Sequence, residues 1–153
     1  MFISYFLKPI LKTLDTLVPL GDLLARLWIA KIFFFSGLNK VMSWQSTLLL
    51  FQNIYQVPIL PPIVAAYFGT AAELILPVLL VLGLGGRIAI FIFFIYNLVC
   101  VISFHFLWTP AGQQGLDNHI SWGLLLMLLM LHGSGKLSLD YWIRKKMGYH
   151  LQT

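Results

Sequence analysis

From residue 63 to residue 84 the chain runs for 22 residues with a single charge, Glu73. No other feature constrains the fold as tightly. A bilayer core takes about 20 apolar residues of helix, so the run predicts a membrane span. Glu73 lies roughly 15 Å along it, near mid-depth, at about 1.5 Å of rise per residue. A lone charge there costs on the order of 3 kcal/mol. Such a group must face a helix bundle and find a partner, or stay protonated. Ala66, Gly69, Thr70, Glu73 and Pro77 share one helical stripe of small and polar residues. Small residues let neighbouring helices approach closely in lipid, so this stripe predicts the face turned to the bundle.

Composition fits one integral membrane domain. The chain is 59% hydrophobic and only 10% charged, against about 25% in soluble domains. A net charge of +5 raises nucleic acid as a partner. The bases argue against it, because four of the ten sit in the C-terminal tail and no basic stripe exists. One cysteine, Cys100, excludes a disulfide framework and a dithiol pair, and it reads as an inert buried thiol.

Taken in order, residues 1–18 carry Ser4, Lys8, Lys12 and Asp15 at helical spacing and predict an interfacial helix kept in the mature chain. The first span is expected at about 20–38, entered at Pro19. It holds two bases, with Arg26, Ala30, Phe33, Gly37 and Lys40 on one face and Lys31 about 140° round from Arg26. Lys31 matches Glu73 better in estimated depth, and Arg26 has the longer reach. Residues 39–62 predict a surface helix capped by Ser43 and stopped before Pro58, with Trp44, Leu48, Phe51 and Tyr55 at helical spacing. After the second span, 63–84, a glycine turn leads to a third at 88–108, where Asn97, Val101, His105 and Trp108 share a face. A polar loop precedes a fourth span at about 118–135, and Ser138 caps a tail helix over 138–146. The fold class is therefore all-α: an antiparallel four-helix transmembrane bundle with amphipathic interfacial helices. With both termini inside, seven bases lie on the inner side and only Lys40 on the outer, which predicts cytoplasmic termini in a cytoplasmic (inner) membrane.

Several short motifs then fall in a telling order. They are Arg26 followed by Ser36-Gly37-Leu38-Asn39-Lys40, Pro58 and Pro61 before the second span, Glu73-Leu74 with the Gly83–Arg87 turn, and Gly133-Ser134-Gly135-Lys136-Leu137-Ser138-Leu139-Asp140 after the fourth. In these the chain resembles the DoxX family of small four-span membrane proteins over roughly residues 20–142. Lys31, and the loop carrying His105 and Trp108, depart from that pattern. The resemblance implies a prokaryotic membrane subunit of a redox system, linked to quinone and working with a soluble partner.

Two groups of residues could carry chemistry. The first is a buried charge cluster of Glu73, Arg26, Lys31 and Asn97. It reads either as an ion pair fixing helix register or as a proton relay or quinone headgroup site. The second gathers His105, Asp117, His119, Trp108 and Lys40 at the outer end. These read as interfacial side chains satisfied by water or backbone, as quinone contacts, as axial ligands of a haem, or as a metal site. Trp122 and the phenylalanines of the third span could pack a ring and tail. His132 has no evident partner. The leading reading is a quinone-linked subunit. A small-solute carrier or channel, which would need a homo-oligomer, and a non-catalytic anchor are the alternatives.

Overall fold

A computed structural model describes residues 2–133 and 135–148, without the side chains of residues 2–6. Among them every regular element is a helix: α1 (Phe2–Met42), α2 (Trp44–Asn53), α3 (Pro62–Leu82), α4 (Gly86–Ser103), α5 (Gln113–His132) and α6 (Leu139–Lys146), with two 3-10 turns, His105–Trp108 and Pro110–Gly112, between α4 and α5. Two of them, α3 and α4, are long and apolar enough to cross a membrane.

Neighbouring long helices run in opposite directions. Gly37 of α1 meets Glu73 of α3, while Arg26, eleven residues earlier, meets Gly83. Asn97 of α4 meets His119 of α5, and Asp22 of α1 meets His132 of α5. The chain therefore has two ends: a tail end, where the α3–α4 turn and α6 lie, and an α2 end. Toward the tail end a buried apolar cluster runs from Ile29 to Leu129, with Leu76, Leu80, Ile90, Phe93 and Leu126 in it. A second cluster seats Phe51 of α2 on Ala65 and Ala66 of α3. The stripe expected to face the bundle does so: Ala66, Thr70, Glu73 and Pro77 are all buried.

The first helix corrects two expected boundaries. It does not break at Pro19 and does not end at Leu38, but runs unbroken for 41 residues. A proline removes one backbone donor but need not end a helix whose other bonds hold. Around Pro9 and Pro19 the hydroxyls of Thr13 and Thr16 also donate to carbonyls one turn back, at 2.9 and 2.8 Å. The third span is shorter than expected, because α4 stops at Ser103 and Phe104 leaves the helical region (φ −105°, ψ 85°). The last long helix starts earlier, at Gln113, in residues expected to form a loop. There Gln113 Nε2 donates to Asp117 Oδ1 (2.9 Å) and Ser121 Oγ to the Asp117 carbonyl (2.8 Å), so polar side chains bond along the helix.

Arg26 closes the tail end. It is 1% exposed, and Nη2 donates to the Leu137 carbonyl at 2.8 Å while Nε donates to the Asp22 carbonyl at 3.3 Å. Gly83 sits opposite at φ +64°, and a Cβ there would come within 2.8 Å of Arg26 Nη1. Glycine meets both demands, the left-handed turn and the close approach. The Gly83 carbonyl accepts from Asp140 N at 3.4 Å, and Ser138 Oγ caps α6 by accepting from Tyr141 N. Charged donors to carbonyls contribute about 1.5–3 kcal/mol each. Replacing Arg26 by alanine should therefore free the tail, raising limited-trypsin cleavage after Lys136 about tenfold. Lysine in its place should rescue only in part, since it lacks the planar fork. Unchanged cleavage in the alanine variant would show that Arg26 does not hold the tail.

Candidate functional site

Because α1 continues past Leu38, Lys40 lies inside the fold, one turn on from Ser36 and on the face of Gly37. Lys40 Nζ donates to Glu73 Oε2 at 2.6 Å and to Ser36 Oγ at 2.9 Å. Both side chains of the pair are nearly enclosed, 14% and 7% exposed. The partner of Glu73 is thus Lys40, which had been expected in the outer loop. Arg26 belongs to the tail-end closure just described. Lys31 is exposed, beside a shallow groove lined by Pro77 and Val78. Depth estimated from residue counting favoured Lys31; the contact of Gly37 with Glu73 decides for Lys40, because that contact sets the register between the two helices.

The other carboxylate oxygen is held from α4. Tyr96 Oη lies 3.1 Å from Glu73 Oε1 and 3.1 Å from the Gly69 carbonyl. A phenol has one proton and faces two acceptors here, so it serves either in turn. Nothing about Tyr96 as a residue type marks it in the sequence. Its position one turn before Cys100, both on the face turned to Glu73, is the only available signal.

These groups form one wall of a cavity of about 470 Å³ between α2 and the α2 ends of the long helices. That volume suits a ring-sized small molecule. The wall is mostly apolar: Ile32 and Phe33 from α1, Phe51 from α2, Phe68 and Ala72 from α3, and Leu107. The polar groups are few and separated. Lys40, Ser36, Glu73 and Tyr96 form one group, and Ser103, Cys100 and His119 stand apart. Cys100 is half-buried and lines the cavity. Ser103 is 4% exposed, and its Oγ has no hydrogen-bond partner among the described residues.

His119 is held by Asn97, which is 1% exposed. Asn97 Nδ2 donates to the His119 carbonyl at 3.0 Å, and Asn97 Oδ1 lies 2.8 Å from His119 Nδ1. Asn97 therefore serves the histidine and not the Glu73 cluster. Edge contacts from Phe33 and Trp122 fix the ring, with centroids 6.3 and 4.7 Å away.

The rest of the outer group does not join it. His105 falls beyond the end of α4, in the 3-10 turn, and is exposed. Trp108 is 62% exposed, with Nε1 donating to the Val101 carbonyl at 3.1 Å. Asp117 is exposed and bonds to Gln113. The helical face expected to carry Asn97, His105 and Trp108 together ends at Ser103. The histidine pair proposed for a haem is not formed, since only His119 reaches the cavity. Among the described residues no group of three or more His, Cys, Asp or Glu side chains could hold a metal ion. His132 does have a neighbour, Asp22, at 3.4 Å.

Two membrane-length apolar helices in a fold that is all-helical among the described residues, with a buried acid–base pair between closely packed helices, fit a small helical membrane protein. The family model described as DoxX matches residues 21–106 of the 153, and the chain belongs to the DoxX family. The matched stretch contains Arg26, Gly37, Lys40, Glu73, Tyr96 and Asn97, but ends before His119 and the closing motif at 133–140. No curated protein and no solved structure matches the chain.

Proposed function

We propose that this protein is the membrane subunit of a quinone-linked redox system, and that the cavity holds a quinone ring. α1 and α5 join α3 and α4 as spans of an antiparallel four-helix bundle. Lys8, Lys12, Arg87, Lys136, Arg144, Lys145 and Lys146 lie toward the tail end and Lys40 is paired with Glu73, a one-sided charge that supports cytoplasmic termini in a prokaryotic inner membrane. By this reading a soluble redox partner docks at the same end.

One observation carries the reading: an apolar, ring-sized cavity whose few polar groups include a lysine–glutamate pair and a positioned histidine. The lysine can donate to a ligand oxygen, since only two of its three N–H groups are used. The buried apolar cluster between the cavity and the tail end, with Leu80, Phe93 and Leu126 in it, disfavours a carrier that must open to both faces.

Cys100, the only cysteine in the chain, makes the test direct. Alkylation by a maleimide in mild detergent should slow at least fivefold when the protein is saturated with a decyl-benzoquinone that has no vacant ring position. The Lys40→Met variant should lose most of that protection. Equal rates with and without quinone would sink the assignment of the cavity.

A further inference from the structure

The hydrogen bonds around His119 fix which of its nitrogens can meet a ligand. Asn97 has only one orientation open to it: Nδ2 is committed as a donor to the His119 carbonyl at 3.0 Å, so Oδ1 is the atom facing Nδ1 at 2.8 Å. An amide oxygen only accepts, and Nδ1 must therefore carry the proton. The opposite tautomer would set two lone pairs against each other at that distance. In the neutral ring Nε2 is then an acceptor with no proton to give. Nε2 makes no hydrogen bond among the described residues, yet it is not among the fully enclosed polar atoms left without one. Since His119 lines the cavity, this lone pair is open to an occupant.

We infer that the cavity selects the reduced, hydroxyl-bearing form of the quinone over the oxidised form, with His119 Nε2 accepting from a ring hydroxyl and Asn97 as the positioning residue. The inference rests on the reading of the cavity as a quinone site. A hydroquinone offers an O–H to Nε2. An oxidised quinone offers only a carbonyl lone pair, leaving two acceptors facing each other. The Glu73 oxygens are already engaged, one by Lys40 and one by Tyr96. Lys40 donates to either a carbonyl or a hydroxyl oxygen, and the unpartnered hydroxyl of Ser103 can give or accept. A hydrogen bond formed against one refused is worth about a factor of ten in affinity. Tenfold tighter binding of the two-electron reduced form would raise the midpoint potential of the bound couple by about 30 mV. Such a site draws quinol from the membrane pool and holds it reduced.

The test is anaerobic equilibrium binding of the same decyl-benzoquinone, oxidised and reduced, to the full chain in mild detergent. The wild-type protein should bind the quinol about tenfold more tightly. His119→Phe, which keeps a ring but removes the acceptor, should bring the ratio close to one. Asn97→Leu should give an intermediate ratio, because the histidine can then present Nε2–H. A wild-type ratio near one, or inverted, overturns the inference and leaves the cavity assignment standing. A folded His119→Phe protein that keeps the tenfold preference also overturns it. Failure of the wild type to bind either form overturns both the inference and the quinone reading.

Discussion

Replacing Lys40 by methionine should be the most damaging single change in this protein. It leaves the Glu73 carboxylate, 7% exposed, without its base in a low-dielectric interior. Removing one member of a buried pair costs about 3–5 kcal/mol, whereas replacing both members by apolar or neutral groups of similar volume is often nearly neutral. At roughly 2–4 °C per kcal/mol, Lys40→Met should lower the thermal midpoint in detergent by on the order of 10 °C. The double variant Lys40→Met/Glu73→Gln should recover most of that loss, since the glutamine can still accept from Tyr96. Its quinone protection of Cys100 should not recover, because no charged donor remains at the cavity wall. The two readouts together separate holding the helices from holding a ligand. If the single variant is no less stable than the double, the pair is not an interdependent buried unit.

The second large effect is expected one turn earlier. A Cβ on Gly37 would sit 2.9 Å from the Glu73 Cβ and 3.1 Å from the Glu73 carbonyl carbon. The second of these is backbone and cannot rotate away. Gly37→Ala must push α1 from α3 and should cost about 1–3 kcal/mol, the range for overpacking a close-packed interior. Gly37→Val should prevent recovery of folded protein, because lipid supplies no driving force that would re-pack separated helices. Gly21, in the same helix, has nothing within 4 Å of a built Cβ. Gly21→Ala should therefore stabilise slightly, by about 0.5–1 kcal/mol of helix propensity. Equal tolerance at the two glycines in a thermal-shift assay would contradict the close α1–α3 contact.

Gly37 also shows how far the sequence alone can be read. The periodic face Arg26, Ala30, Phe33, Gly37 and Lys40 is visible in the chain, as is the stripe on α3 that receives it. Both faces are buried where expected, because helical spacing follows from backbone geometry. Pairing between them is not local. It depends on the register of two helices, and the register is set by where a missing side chain permits contact. Assuming that α1 ended near the length of one bilayer crossing placed Lys40 in a loop and left Glu73 to be shared between Arg26 and Lys31. His105 failed for the related reason that its helical face was extended past Ser103, where the backbone turns away. Tyr96, Ser103 and the hold of Asn97 on His119 were illegible, since a tyrosine, serine or asparagine in an apolar run gains its role only from what the fold sets opposite.

The closure at the tail end has a consequence for how the protein is made. Arg26 and Leu137 are 111 residues apart. A ribosome adding roughly 5–20 residues per second needs about 5–20 s to travel between them. Throughout that interval the guanidinium has been synthesised and its carbonyl partner has not. The tail-end closure therefore cannot form until the helices that build the cavity have all been synthesised. A nascent chain arrested before Leu137 would carry Arg26 without the carbonyl that closes it.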